Sequence, residues 1–402
     1  MNSQTLLRTC FFINIKQVNK SFKKEIVVRP LIKRNVGSLS SPTKHSKQFT
    51  SKKLLGGLHN IKLINNLHQP QTISSPTRHT SNFTATKTMT DEQEKASKEI
   101  FHNVNESEGW LTIGQYSIFG WSVSGMESCI VIKSDDVQLA FDMGIAVPES
   151  IKSANVFITH GHVDHIGAVI GHLSKRSLLG MKPAKYYVPP ILVESLTTVV
   201  KSHFEMAQAM ETFEHVNILP IIQEDVVRLN SRYFVKAFPT IHRIPSQGYI
   251  LYREEKKLKQ EYKGMQGFEV AALHREGKVI HDIVITPEIA YCGDTTFDIF
   301  TNPPTPDLLN VKILITETTF LDEERGKNMV QKARDRGHTH LSELSQHADL
   351  FKDVGHIVLV HFSNKYPAKY IRDCIYHKLP PELRIKVTPA TVAKTTVASS
   401  LY

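Results

Sequence analysis

The sequence predicts an α+β fold built as an αββα sandwich, two sheets packed face to face with helices outside. Three observations point there. From Trp110 onward candidate strands outnumber candidate helices, and the helices recur late in each half. The run Val156-Phe157-Ile158-Thr159 is short and continuously apolar, as a strand buried on both faces requires. No repeat is visible at the sequence level. One domain spanning about residues 105–400 is therefore expected.

Ser128–Lys133 and Val137–Asp142 alternate apolar and polar residues around Ser134-Asp135-Asp136, which predicts a hairpin. After the buried strand, Ile166–Leu179 and Val193–Thr212 carry helical spacing. Arg232–Thr240, Gly248–Arg253, Ile283–Cys292 and Val311–Thr316 are strand candidates. His340–Phe351 is an amphipathic helix, His356–Phe362 a strand and Ala368–His377 a final helix.

The chain has 402 residues, 22% charged and 41% apolar, with a net charge of +10 that is unevenly spread. Residues 1–90 hold fifteen Lys/Arg against the single acid Glu25, a balance of +14, so the remainder is −4. That excludes a uniformly basic, histone-like protein. No apolar run approaches the roughly 18–20 residues of a membrane helix, so no membrane insertion is expected. Cys10, Cys129, Cys292 and Cys374 are scattered, without a CxxC, so a metal here must be held by His and carboxylates. Residues 1–90 are Ser-, Thr-, Asn- and Lys-rich, acid-poor and without sustained period. They are expected to be a disordered basic tail of the mitochondrial transit type. Met89 stands at its boundary and is expected to start a second, cytosolic or nuclear product.

The sharpest signal is His160-Gly161-His162-Val163-Asp164-His165, directly after the buried strand. Imidazoles and a carboxylate suit Zn2+. Four such side chains in so tight a loop project in different directions, so two metals are more natural than one. His242, Asp294 and His361 each follow an apolar strand, where further ligands would be expected.

The HxHxDH loop resembles the signature of the metallo-β-lactamase superfamily, which implies the sandwich and a dinuclear site but leaves the reaction open. The linked motifs narrow it. Phe141-Asp142-Met143-Gly144, the metal loop, His242-x-x-Pro245-Ser246-x-Gly248-Tyr249 and Gly293-Asp294-Thr295 come first. Thr316-Glu317-Thr318-Thr319-Phe320, Gly337-His338-Thr339-His340 and His361-Phe362-Ser363 follow. In order and spacing these resemble the tRNase Z family over about residues 105–395, most closely its short, plant-type form. There are two departures. Ser122–Ser128 replaces the Gly-rich loop and PxKxRN segment of bacterial forms, and Lys365 stands where an Arg is frequent, keeping charge but losing the bidentate fork.

The resemblance implies removal of the 3′ trailer from precursor tRNA, cut after the discriminator base to leave a 3′-hydroxyl. It implies two Zn2+ per chain, one on His160, His162 and His242, the other on Asp164, His165 and His361, with Asp294 bridging. Asp164 would orient or deprotonate the attacking water, and Glu317 would orient His338 to protonate the leaving oxygen; His340 caps or supports that loop. A homodimer is implied, and residues 253–282 fall where the family can carry a tRNA-gripping arm. Basic runs at Lys175-Arg176, Lys182 and Lys185, and from Arg325 and Lys327 through Lys332, Arg334 and Arg336, would flank the cleft. The alternatives are a glyoxalase II-like thioester hydrolase, which has no need of a general acid, and a catalytically silent RNA-binding relative.

Overall fold

Strands β1 (Asn105–Ser107), β2 (Trp110–Ile113), β3 (Tyr116–Val123), β4 (Glu127–Lys133) and β5 (Gln138–Phe141) form an antiparallel meander. To its edge β6 (Asn155–Phe157), β7 (Lys185–Val188) and β8 (Asn217–Pro220) add in parallel. The second sheet repeats the plan. Strands β9 (Val227–Arg228), β10 (Tyr233–Pro239), β11 (Gln247–Leu258) and β12 (His281–Tyr291) are antiparallel. Strands β13 (Ile313–Glu317), β14 (His356–Val360) and β15 (Val387–Pro389) then run parallel. This is a computed structural model, and it describes residues 105–324 and 328–401. The expectations for residues 1–90, Arg325 and Lys327 lie outside the described residues.

Side chains on successive strand positions go to different cores, which is why these strands read as apolar runs. Ile130 and Ile132 join Leu251, Ile289 and Val358 between the sheets, whereas Val131 points outward to Val169, Leu173 and Val200. Likewise Ile313 and Ile315 face the other sheet, while Leu314 packs with Leu341 and Ile371. Four layers result: helices, sheet, sheet, helices.

The outer layers are amphipathic helices. On the first sheet lie α1 (Val163–Ile166), α2 (Val169–Leu178) and α3 (Val193–Met206), the last burying Leu196, Val200 and Phe204 four residues apart. Helix α4 (Gly267–Arg275) buries nothing. Helix α5 (Met329–Asp335) packs its Met329 and Ala333 on Phe320 just beyond β13, while α6 (Leu341–Gln346) and α7 (Ala368–Lys378) cover the second sheet. Three expected helices are interrupted, the one expected over Ile166–Leu179 by turns at Gly167 and Ala168. The one expected to reach Thr212 stops at Met206, before Gln208 turns left-handed at φ 53°. The one expected over His340–Phe351 breaks at His347 and finishes as a 3-10 turn, Ala348–Phe351. No helix among the described residues is long and apolar enough to cross a membrane.

Candidate active site

The candidate ligands all follow strand ends. Beyond β6 the chain passes through Thr159 into His160 and His162, and the first turn of α1 carries Asp164 and His165. Strand β10 ends three residues before His242, β12 three before Asp294, and β14 directly before His361. The carboxyl edge of parallel strands is the usual location of a site in open α/β sheets.

All seven residues meet there. The donor atoms of His160, His162, His242 and Asp294 lie within 4.8 Å of one another, and so do those of Asp164, His165 and His361. Asp294 joins the two groups. Its Oδ2 is 3.8 Å from His160 Nε2, while Oδ1 is 3.3 Å from His165 Nε2 and 3.4 Å from His361 Nε2.

The hydrogen bonds around the rings decide whether this nest fits metal. His165 Nδ1 donates to Asp142 Oδ2 at 2.7 Å and His242 Nδ1 to the Gly337 carbonyl at 2.8 Å, both acceptors only. Thr159 Oγ1 gives its hydrogen to Asp142, so at 2.9 Å it accepts from His160 Nδ1. Thr319 Oγ1 gives its own to Glu317 Oε2 at 2.5 Å and accepts from His361 Nδ1 at 3.0 Å. Each of these four rings therefore carries its proton outside and turns a bare Nε2 inward. His165 Nε2 and His361 Nε2 are only 3.4 Å apart, a repulsive meeting of lone pairs that a cation between them relieves. Asp294 Oδ1 is buried and accepts no hydrogen bond. Imidazole nitrogens and an orphaned carboxylate oxygen are the donor set of Zn2+.

Electrostatics agree. Burial lowers the pKa of His160 to about 2, so it is neutral at pH 7, as a metal-binding imidazole must be. Burial alone would raise Asp294, but the His165 and His361 imidazoles hold it well below the usual carboxylate range. Burial opposes charge on His165 too, yet Asp294 and Asp142 push its basicity well above the imidazole range, so its inward Nε2 takes up a positive charge there, a proton or a metal ion. The nest draws positive charge.

Asp142 organises this arrangement, and sequence reasoning assigned it no role. It is fully buried and accepts from His165 Nδ1, from Thr159 N at 2.8 Å, from Thr159 Oγ1 and from Tyr291 OH at 2.7 Å. Its φ of 58° is left-handed, which Asp tolerates better than most residues. Its signals in the sequence are an acid ending an apolar strand and its place in Phe141-Asp142-Met143-Gly144, neither of which says what it holds. Two residues on, Gly144 passes so close to the Asp164 carbonyl that a Cβ would lie 1.8 Å from that oxygen.

Beside the nest, Glu317 ends β13 fully buried. It accepts from Thr295 N at 2.8 Å, Thr339 N at 3.3 Å, Thr319 Oγ1 and His338 Nδ1 at 2.8 Å. Donor atoms of Glu317, His338, Asp294 and His361 also lie within 4.8 Å, but a carboxylate so fully occupied is not a spare ligand. Burial opposes protonation of His338, yet the adjacent Glu317 carboxylate raises its pKa to about 9. At neutral pH it is an imidazolium with Nδ1–H fixed and Nε2–H free to donate. His340 lies outside this pair and caps α6, forming a capping box with Glu343.

The basic runs are largely occupied within the protein. Arg176 is buried on the carbonyls of Ile151 and Lys182, both at 2.6 Å, and Lys175 donates to the Ala146 carbonyl at 2.7 Å. Arg334 pairs with Glu343 at 2.8 Å, and Arg336 lies over the Phe320 ring. Lys365 pairs with Asp322 at 2.7 Å.

No family model matches the chain. Among curated proteins, tRNase Z TRZ1 of Arabidopsis thaliana is 38% identical over 281 residues, 70% of this chain and 97% of that protein. The chloroplastic tRNase Z TRZ2 of the same plant is 34% identical over 281 residues, 70% of this chain and 77% of that protein. The nuclear ribonuclease Z of Triticum aestivum is 34% identical over 175 residues, 43% of this chain and 96% of that protein. Among solved structures, the short form of human tRNase Z aligns with a TM-score of 0.42 and 18% identity, covering 61% of this chain and 91% of its own. The metallo-β-lactamase fold protein YhfI of Bacillus subtilis aligns with a TM-score of 0.43 and 15% identity, covering 68% and 95%. These two are distant neighbours in fold.

Proposed function

The chain belongs to the tRNase Z family, and from that premise we propose that it is an endoribonuclease that removes the 3′ trailer of precursor tRNA. It cuts after the discriminator base and leaves a 3′-hydroxyl. The observation that carries the reaction class is the Glu317–His338 pair beside a seven-ligand nest.

The donor set fits two Zn2+: His160, His162 and His242 would hold one and Asp164, His165 and His361 the other, with Asp294 within reach of both groups. When bound, they supply Lewis-acid charge for the phosphate and lower the pKa of a nucleophilic water toward about 7. The chain's own residues do the rest. Asp164, whose Oδ2 accepts the Gly125 N–H at 2.8 Å, orients the attacking water or accepts its proton. The leaving group is a ribose 3′-alkoxide, a poor one without a proton donor. His338 Nε2 delivers that proton while Glu317 holds the ring and stabilises its charge. A thioester hydrolase would have no use for this donor, because a thiolate leaves unaided.

The remaining assignments follow the same reading. Residues 253–282, the hairpin carrying α4, grip the body of the tRNA, and the enzyme works as a homodimer. The basic tail, residues 1–90, directs a long product to mitochondria, and Met89 starts a second product without it. Fusing residues 1–90 to a fluorescent protein tests the address; a signal with no mitochondrial fraction rejects it.

Incubating the zinc-loaded protein with a trailer-bearing pre-tRNA and mapping both new ends tests the activity. Cleavage after the discriminator is expected in the wild type, and Asp164→Ala should abolish it at matched zinc while still binding the RNA. Intact pre-tRNA alongside rapid hydrolysis of S-lactoylglutathione would overturn the proposal in favour of a thioester hydrolase.

A further inference from the structure

The hairpin β11–β12 changes character at one place. Up to Tyr252, β11 is buried; from Arg253 outward neither strand has a buried residue until Glu288, and Ile283 and Ile285 are more than half exposed. Helix α4 at the far end buries nothing either. Between Arg253 and Pro287 only Ile280 is buried, so the outer hairpin has almost no core of its own and its direction is set where it leaves the sheet.

At that place the ladder slips. Leu251 pairs with Ile289 but Tyr252 pairs with Pro287, so Glu288 is the extra residue of a bulge. A bulge bends and twists its strand, and Pro287, which has no N–H, is tolerated there. The Glu288 side chain is fully buried. Its Oε1 accepts from Arg253 Nε on β11 and from Lys312 Nζ just before β13, both at 2.8 Å. Its Oε2 accepts from Tyr116 OH on β3 of the other sheet at 3.0 Å. One carboxylate thus ties the root of the hairpin to a neighbouring strand and to the opposite sheet. The six residues Arg253–Leu258 reach roughly 20 Å as a strand. A rotation of roughly 10° at their root carries the tip through about 3–4 Å, enough to break polar contacts made there.

We propose that Glu288 is a positioning residue that aims the 253–286 hairpin at the body of the precursor tRNA, acting on substrate capture without touching the scissile phosphate. This rests on the assignment of that hairpin as the tRNA grip. Glu288→Gln keeps the shape and removes the charge that gathers Arg253 and Lys312. Steady-state kinetics on pre-tRNA and on bis(p-nitrophenyl) phosphate, with amide exchange of both proteins, provide the test. For pre-tRNA, KM should rise roughly five- to tenfold as one of two linked contacts loosens, with kcat within about twofold. Hydrolysis of the small diester should be unchanged, and faster exchange should be confined to 253–286. Equal losses on both substrates, or an unchanged KM, overturn the proposal. If Glu288→Gln does not fold, Tyr116→Phe, which cuts the tie from the opposite sheet without changing any charge on the hairpin, carries the same expectation. A wild type that leaves pre-tRNA uncut counts against the family reaction instead, and amide exchange then still decides whether Glu288 fixes the hairpin.

Discussion

Asp142→Asn is a clean perturbation of the nest because it leaves the backbone alone. The residue sits at φ 58°, where Asn is as comfortable as Asp, whereas Ala would add about 1–2 kcal/mol of left-handed strain. The carboxylate faces donors only: His165 Nδ1, Thr159 N and Oγ1, and Tyr291 OH. An amide can still accept from some of them, but its NH2 must confront at least one. That leaves buried donors opposed and removes the anion behind His165. Losing a partner behind a ligating imidazole costs about 10- to 100-fold in metal affinity, or about 1.4–2.7 kcal/mol. The orphaned buried donor adds about 1–3 kcal/mol of lost stability without metal. Chelator competition at fixed pH reads the first quantity, and thermal denaturation of metal-free protein reads the second. Asp142→Ala should be worse on both. An Asp142→Asn protein that binds zinc within twofold of wild type, with an unchanged melting temperature, would refute this account.

His338→Ala should slow pre-tRNA cleavage by about 10²- to 10⁴-fold, while bis(p-nitrophenyl) phosphate, whose leaving group needs no proton, loses far less; equal losses would remove the general-acid role. The pH profile of cleavage should fall on its alkaline side, because the acid form of His338 is required and is lost as pH rises through its raised pKa of about 9. Glu317→Gln removes the anion that raises it, so that limb should move to lower pH; a limb that stays put assigns it to another group. Gly144→Ala drives a methyl into the Asp164 carbonyl; overpacking costs typically about 1–3 kcal/mol, and a wild-type melting temperature would show that the loop yields.

The candidate metal loop was legible because its donors are adjacent: three imidazoles and a carboxylate within six residues. The strand ends before His242, Asp294 and His361 were legible as apolar runs, since both faces of β12 and β14 are covered. Strand β3 was not singled out, because Ser117, Gly120 and Ser122 break its apolar run although most of it is buried. Strands β7 and β8 have four residues each, too short for a period. Asp142 was invisible as an organiser because its partners His165 and Tyr291 lie 23 and 149 residues away. The basic run at Lys175 and Arg176 misled for the opposite reason. Composition counts charges but does not tell a surface cation from one that knits carbonyls together.

The nest takes its candidate ligands from both halves of the sandwich. His160, His162, Asp164 and His165 come from the loop after β6, whereas His242, Asp294 and His361 come from the second sheet. Each proposed metal therefore needs residues from both sheets, and neither half alone can offer the complete set. Binding is then linked to docking. Metal that binds the assembled state and not the separated halves stabilises it by mass action, growing with the logarithm of free metal over the dissociation constant. It also arrives late, because the chain must close loops of 80 residues between His162 and His242, and 197 between Asp164 and His361, before a pocket exists. Zinc should accordingly slow unfolding far more than it speeds folding.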